Sequence, residues 1–273
     1  MSLRSGLRRV SVKNSYTSCR ISMNGGYRLV GSESDTRLRG RGQPYELSRL
    51  QRFLLTGGSG LMALYDPSRD DMVATFGETT ALPAVRWIRE RMMASEEGRD
   101  LLREKPRVSS ATVDLDLLRS SSDETFGHHY VKFLDSNRVT PDSRLPVRYI
   151  ADPELAYVIQ RYREIHDFVH TCLALPIHLI GEVTVKWVEM FQTRLPMCVL
   201  ASLFGPIRLS TKEKLLFLRY YLPWAVQCGT QADFMMSVFY EKRFEQNIDD
   251  LRMELGIPSI SGIPSDVRDE LQT

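Results

Sequence analysis

The residues in this chain best suited to chemistry are His166-Asp167-Phe168-Val169-His170, followed after eleven intervening residues by Glu182. Two histidines at i and i+4 stand one helical turn apart and project the same way, so both imidazoles can reach one ion. Asp167 lies about 100° around such a helix from His166, near enough for its carboxylate to swing to the edge of the same site. Glu182 would be ~18 Å beyond His170 on an unbroken helix. It joins the histidines only if the chain bends, and Pro176 supplies the break, having no N–H and a ring that stops the helix around Leu175. Two imidazole nitrogens and two carboxylates suit zinc, with manganese or ferrous iron as alternatives. The same spacing also suits two partly buried polar residues with no ion between them, and spacing alone leaves both readings open. The pattern departs from the H-E-x-x-H of zinc peptidases, because Asp167 is shorter than the Glu found there. A thiolate from Cys172 is conceivable but not needed, and His178, past the proline, reads as structural.

These side chains require a rigid helix beneath them, and the stretch from Asp152 provides one. Asp152 can accept bonds from the free N–H groups of a first turn, Pro153 suits the first helical position, and Glu154 complements the positive end of the dipole. Leu155, Val158, Ile159, Tyr162, Ile165 and Val169 mark one apolar face, and the two histidines fall on its edge, so both should be at least half buried. Helical spacing recurs almost everywhere else: 46–64, weakened at Gly57-Gly58; 82–94; short pieces at 101–104 and 113–118; 126–134. After a Pro- and Arg-rich connector at 136–150 come 153–175, 177–194, 197–204, 211–221 and 230–255. Period-2 alternation is nearly absent. The expected fold is all-α: a single compact helical domain with a long central metal-bearing helix.

Composition narrows the function classes. The 273 residues are 42% hydrophobic, enough for one sizeable core, and the net charge of +2 argues against a dedicated nucleic-acid binder. Cys19, Cys172, Cys198 and Cys228 form no C-x-x-C pair, which points to reduced thiols rather than a disulfide framework. The longest apolar stretch, 195–207, is too short to span a bilayer and is interrupted by Pro196, Gly205 and Pro206. No acidic residue precedes Glu33, while Arg4, Arg8, Arg9, Lys13, Arg20 and Arg28 lie among serines, the composition of a mitochondrial presequence. The expected organisation is therefore a presequence over 1–32, a flexible linker over 33–43, a helical domain over 44–258 and a tail over 259–273. Gly57-Gly58-Ser59-Gly60 lacks the Lys-Ser/Thr of a phosphate loop and reads as a flexible kink. Asp70 and Asp71 read as a solvated helix start, and His128 and His129 point to different sides of a helix.

Beyond spacing, the chain resembles the mitochondrial coenzyme Q biosynthesis protein 4 family over roughly residues 43–257. The resemblance is carried by Asp70-Asp71-Met72-Val73-Ala74, Gly77-Glu78-Thr79-Thr80, Phe126-Gly127 and the run DPELAYVIQRYRE at 152–164. It continues through His166-Asp167-x-x-His170, Gly181-Glu182, Lys186-Trp187, Glu189, Gln192, Leu195-Pro196-Met197 and Pro223-Trp224-Ala225. It implies an all-α fold, a matrix location peripheral to the mitochondrial inner membrane, and a place among other coenzyme Q biosynthesis proteins, with a homodimer left open. It also implies His166, Asp167, His170 and Glu182 as ligands and catalytic residues, with zinc as the usual ion. The implied activity is C1-decarboxylation of 4-hydroxy-3-methoxy-5-polyprenylbenzoate, with an oxidative variant left open. The alternative is a non-catalytic, lipid-binding scaffold that organises the other enzymes. A metal-dependent phosphohydrolase would need a further upstream His and downstream Asp, for which no spacing fits. Helices near 195–204, 215–224 and 234–239 could line a trough for the polyprenyl tail, with core packing as their default use. Arg161, Arg163 and Lys186 could neutralise the substrate carboxylate, with surface ion pairs as the default.

Overall fold

The computed structural model describes Tyr45, residues 47–66 and residues 69–259. The presequence, most of the linker and nearly all of the C-terminal tail expected from sequence lie outside the described residues. Apart from one isolated bridge between Thr125 and Asn247, the regular structure of the described residues is helical. In chain order the helices are α1 (Arg49–Tyr65), α2 (Asp70–Thr80), α3 (Leu82–Ala94), α4 (Glu96–Glu104), α5 (Leu115–Ser120) and α6 (Phe126–Asn137). They continue as α7 (Pro153–Leu173), α8 (Leu179–Thr193), α9 (Pro196–Phe204), α10 (Thr211–Leu216), α11 (Leu222–Gln231) and α12 (Ile248–Glu254).

Helix α7 is the central strut. Its start is specified locally: the Asp152 carboxylate accepts from the N–H groups of Glu154 at 2.8 Å and Leu155 at 3.0 Å, and Pro153 occupies the first turn. Around it pack α3, α6, α8 and α12. From Tyr157 to Leu173 every residue except His166 is buried, so the helix is enclosed on all sides rather than on the single face expected. Buried charges require partners, and each one here has them. Arg161 makes a two-pronged pair with Glu241, and Arg163 bonds Glu78 at 2.8 Å. Glu164 accepts from Arg107 at 2.6 Å and from the Val108 N–H at 3.0 Å. The sequence default for Arg161 and Arg163, surface ion pairs, is therefore corrected: both are buried, locking α7 to distant segments.

Several boundaries differ from the sequence reading. Helix α1 runs unbroken through Gly57-Gly58. The glycine that matters is Gly60, where a Cβ would stand 3.0 Å from the Phe76 ring, so its absence lets α1 lie close against α2. Of α2 the sequence reading gave only the start at Asp70-Asp71, because the β-branched and glycine residues that follow weaken the helical signal. The expected break after Tyr221 is absent: a π-helical turn at Phe217–Tyr221 joins α10 to α11, and the Leu222 N–H reaches back to the Phe217 carbonyl. The expected helix over 230–255 is instead split. Two short 3-10 turns, Met235–Ser237 and Tyr240–Lys242, precede α12. Side chains from elsewhere satisfy this backbone. The Met235 N–H donates to Gln192 at 3.1 Å, and the Phe239 N–H to Glu97 at 2.8 Å.

Candidate metal centre

Helix α7 ends two residues before Leu175, at Leu173. Ala174 adopts the left-handed conformation at φ 51°, and Pro176 follows two residues later. The N–H of Leu175 returns to the His170 carbonyl at 3.1 Å, which closes the helix end. The chain then reverses into α8. A Cβ at Gly181 would lie 2.1 Å from the Pro176 carbonyl oxygen, so only glycine allows a turn this tight. The next residue is Glu182, in the first turn of α8. The bend inferred from Pro176 thus exists, with Ala174 and Gly181 completing it.

The turn brings three ligand groups together. The Nε2 atoms of His166 and His170 are 3.2 Å apart. One Glu182 oxygen lies 3.3 Å from His170 Nε2 and the other 3.5 Å from His166 Nε2. His170 is fully enclosed and stacked against Phe133 with ring centroids 5.5 Å apart, whereas about a third of the Glu182 side chain, 35%, stays exposed. The site therefore opens on the Glu182 side.

The outer nitrogens fix the inner ones. His170 Nδ1 lies 3.0 Å from the Leu175 carbonyl, and His166 Nδ1 lies 2.7 Å from Glu189 Oε1. A carbonyl and a carboxylate only accept, so both Nδ1 atoms carry the proton and both Nε2 atoms of the neutral rings present lone pairs. Two lone pairs and a carboxylate facing one another form a cluster of acceptors that a cation or a proton can fill. A tetrahedral ion with bonds of about 2.0–2.1 Å spaces its donors about 3.3 Å apart. The two nitrogens, 3.2 Å apart, have that spacing, and the Glu182 carboxylate flanks them with both oxygens, one 3.3 Å from His170 Nε2 and the other 3.5 Å from His166 Nε2.

Without an ion, protons take up part of this role. Burial and Lys186 push the His166 imidazole down, but Glu189 and Glu182 outweigh them and hold it above its ordinary value. Burial pushes the Glu182 carboxyl up, but its bonds to His166 and His170 dominate and hold it well below the usual carboxylate range.

Asp167 does not join the cluster. The ligand groups that converge are those of His166, His170 and Glu182. The Asp167 carboxylate is buried, ion-paired with Arg144 of the connector before α7. The turn of the helix that lets His166 and His170 face α8 directs Asp167 elsewhere. Cys172 is also apart: burial pushes its thiol up to about 12, away from the thiolate a metal needs. His178 sits exposed at the N-cap of α8, outside the cluster. The group that the sequence reading did not assign to the site is Glu189. Its carboxylate also accepts from Lys186 Nζ and the Tyr162 hydroxyl, each at 2.7 Å. Lys186 is thus corrected from a surface ion pair to a mostly buried one. Helix periodicity holds the missed signal, since Glu182, Lys186 and Glu189 at i, i+4 and i+7 share one face of α8.

Comparison with known proteins places this geometry. The family model described as "Coenzyme Q (ubiquinone) biosynthesis protein Coq4" matches residues 43–261. The chain belongs to the Coq4 family. Its relatives include proteins named "Ubiquinone biosynthesis protein COQ4 homolog, mitochondrial". The one from Bos taurus is 52% identical over 77% of this chain and 79% of its own length. Those from Drosophila ananassae (49% identical, 80% and 82% coverage) and Xenopus laevis (51%, 76% and 73%) are similar. A crystal structure from Nostoc punctiforme, described as a candidate ubiquinone biosynthesis protein, shares the fold at TM-score 0.60 and 17% identity. It covers 75% of this chain and 97% of its own. The all-α class and coenzyme Q biosynthesis, both expected from sequence, stand. Among the described residues, no helix of this Coq4-family chain is long and apolar enough to cross a membrane.

Proposed function

We propose that this Coq4-family chain binds one divalent ion, zinc first among the candidates, through His166 Nε2, His170 Nε2 and Glu182. We propose further that the site serves C1-decarboxylation of 4-hydroxy-3-methoxy-5-polyprenylbenzoate in coenzyme Q biosynthesis. The observation that carries the metal reading is the convergence of two imidazoles and a carboxylate on one point, with both Nδ1 atoms already engaged. In this reading Asp167 anchors Arg144 beside the site rather than ligating the ion. Family membership, which gives coenzyme Q biosynthesis, is what supports this choice of substrate.

Breaking the bond from C1 to the carboxylate leaves an electron pair on C1, and an aryl anion there would be far too costly. A para phenolate instead pushes electrons onto C1, which takes up a proton. The bond to the carboxylate then breaks, CO2 leaves and the ring regains aromaticity, with one proton consumed. A bound divalent ion supplies positive charge to the substrate's carboxylate or phenolate oxygen. His166, His170 and Glu182 would hold such an ion in place, and Phe133 closes the site behind His170.

The tail needs an apolar path. Residues 234–239 are core, with Phe239 and Met236 essentially fully buried, and offer none. Leu203, Phe204, Leu215 and Leu218 are exposed beside a shallow hollow of about 290 Å³ lined by Pro206, Ile207, Lys214, Phe217 and Leu218. This surface supports contact with the isoprenoid tail.

A second reading, a scaffold on the matrix face of the inner membrane, is favoured by α1. Leu50, Phe53, Leu54, Leu61 and Leu64 form an exposed stripe at helical spacing, and the helix carries Arg49 and Arg52 but no acidic residue. Such a face suits an anionic membrane surface or other coenzyme Q proteins. The experiment that decides is CO2 release from a short-tailed substrate analogue by the isolated, zinc-loaded protein. Turnover that His170→Ala and Glu182→Ala abolish while staying folded supports the enzyme. Absence of turnover in the loaded wild type favours the scaffold, and full turnover by a metal-free variant sinks the catalytic role of the ion.

A further inference from the structure

We infer that Glu189 is a positioning residue for the metal centre: charge-balanced by Lys186, it fixes the ring and tautomer of His166. The inference rests on reading His166, His170 and Glu182 as ligands. A histidine that offers Nε2 to an ion must keep its proton on Nδ1, and the group opposite Nδ1 decides this. For His170 that group is the main-chain carbonyl of Leu175, supplied by the turn itself. For His166 it is a side chain, so the two ligands are secured differently.

Glu189 is built for the task. It is 4% exposed, and both of its oxygens are filled. Oε1 accepts from His166 Nδ1 at 2.7 Å; Oε2 accepts from Lys186 Nζ and from the Tyr162 hydroxyl, each at 2.7 Å. Lys186 Nζ also donates to the Tyr162 oxygen at 3.2 Å and lies 5.7 Å from the centroid of that ring. The carboxylate therefore cannot turn away from His166 without leaving a buried ammonium unpaired. The ammonium cancels the charge of Glu189, so Glu182 remains the anionic member that faces the ion. Because Glu182, Lys186 and Glu189 share one face of α8, a single helix sets both a ligand and the partner that orients the ligand on α7.

A purely structural role, in which Glu189 only neutralises Lys186, predicts a different outcome when both charges are removed together. The test compares wild type with Glu189→Met/Lys186→Met, which conserves volume, and with Glu189→Gln, which keeps the shape but replaces one acceptor oxygen by a donor. Nitrogen-15 NMR of the imidazoles in metal-free protein at pH 8 reads the tautomers, with His170 as internal control. Competition against a chromophoric chelator reads the zinc Kd. The expected result is a proton on Nδ1 of both rings in wild type. In the double variant His166 alone should populate the Nε2–H form, with zinc bound about 10–100-fold more weakly. In Glu189→Gln the single amide oxygen is held by Lys186 and the N–H2 faces His166 Nδ1, so His166 should again populate the Nε2–H form and zinc should bind about 10–100-fold more weakly. A folded double variant with an unchanged His166 tautomer and a zinc Kd within twofold of wild type overturns the inference. If the double variant does not fold, Glu189→Gln decides alone, and a Kd within twofold overturns it. If wild type binds no zinc, the ligand reading fails, while the tautomer comparison still decides the role of Glu189.

Discussion

Glu182→Gln should change the sign of its effect on stability when zinc is added. At pH 8 the metal-free wild type holds two imidazole lone pairs and a carboxylate within 3.5 Å of one another. Replacing the carboxylate by an amide puts an N–H donor among these acceptors, so the metal-free variant should melt at or above wild type. With zinc the order reverses. Free zinc at a thousandfold excess over Kd stabilises the folded state by about 4.1 kcal/mol. At about 2–4 °C per kcal/mol for a domain of this size, wild type should gain roughly 8–16 °C. Loss of even an outer-sphere partner weakens a metal site by about 10–100-fold, and losing a ligand should cost at least as much. A hundredfold loss at the same free zinc leaves about 1.4 kcal/mol, a gain of roughly 3–6 °C. The assay is circular-dichroism melting of chelator-treated protein at pH 8, with and without buffered zinc. Equal zinc shifts in the two proteins, or a metal-free variant several degrees below wild type, would refute the acceptor-cluster argument.

Gly181→Ala should destabilise the protein by about 1–3 kcal/mol and weaken zinc binding, since the added Cβ meets the Pro176 carbonyl at 2.1 Å; chemical denaturation and chelator competition check both. In metal-free protein the stabilisation from the cluster should be greatest between the ordinary Glu and His values, 4.5 and 6.5. The raised His166 contributes fully below 6.5 and loses its share as pH rises through its folded value; the lowered Glu182 contributes above 4.5 while its imidazole partners keep their protons and loses its share as pH falls through its folded value. Denaturation series from pH 3 to 9 on wild type and His166→Ala/Glu182→Gln should show that band only in wild type. Burial pushes the thiols of Cys172, Cys198 and Cys228 up to about 12. In a Cys19→Ser background none should react with iodoacetamide at pH 8 until the protein is unfolded, as mass spectrometry would show.

Sequence alone determined what depends on local periodicity. The i, i+4 spacing of His166 and His170 needs only an α-helix, and Asp152-Pro153-Glu154 starts one whatever surrounds it. Pro176 announces a break for the equally local reason that it has no N–H. Tertiary structure decided what depends on which surfaces meet. Asp167 looked eligible as a ligand because a helical wheel shows angle and not neighbours; the connector arriving with Arg144 took its carboxylate. Arg161 and Arg163 looked like surface charges because their partners, Glu241 and Glu78, lie 80 and 85 residues away. The helix expected over 230–255 failed because buried Gln192 and half-buried Glu97 offer its backbone other partners, an alternative that single-chain propensity cannot register. Glu189 drew no notice as an orienting group, because only the packing of α8 on α7 brings its carboxylate to His166. The three groups proposed as ligands were legible in the sequence; the proton positions that suit them to a cation were set by the fold.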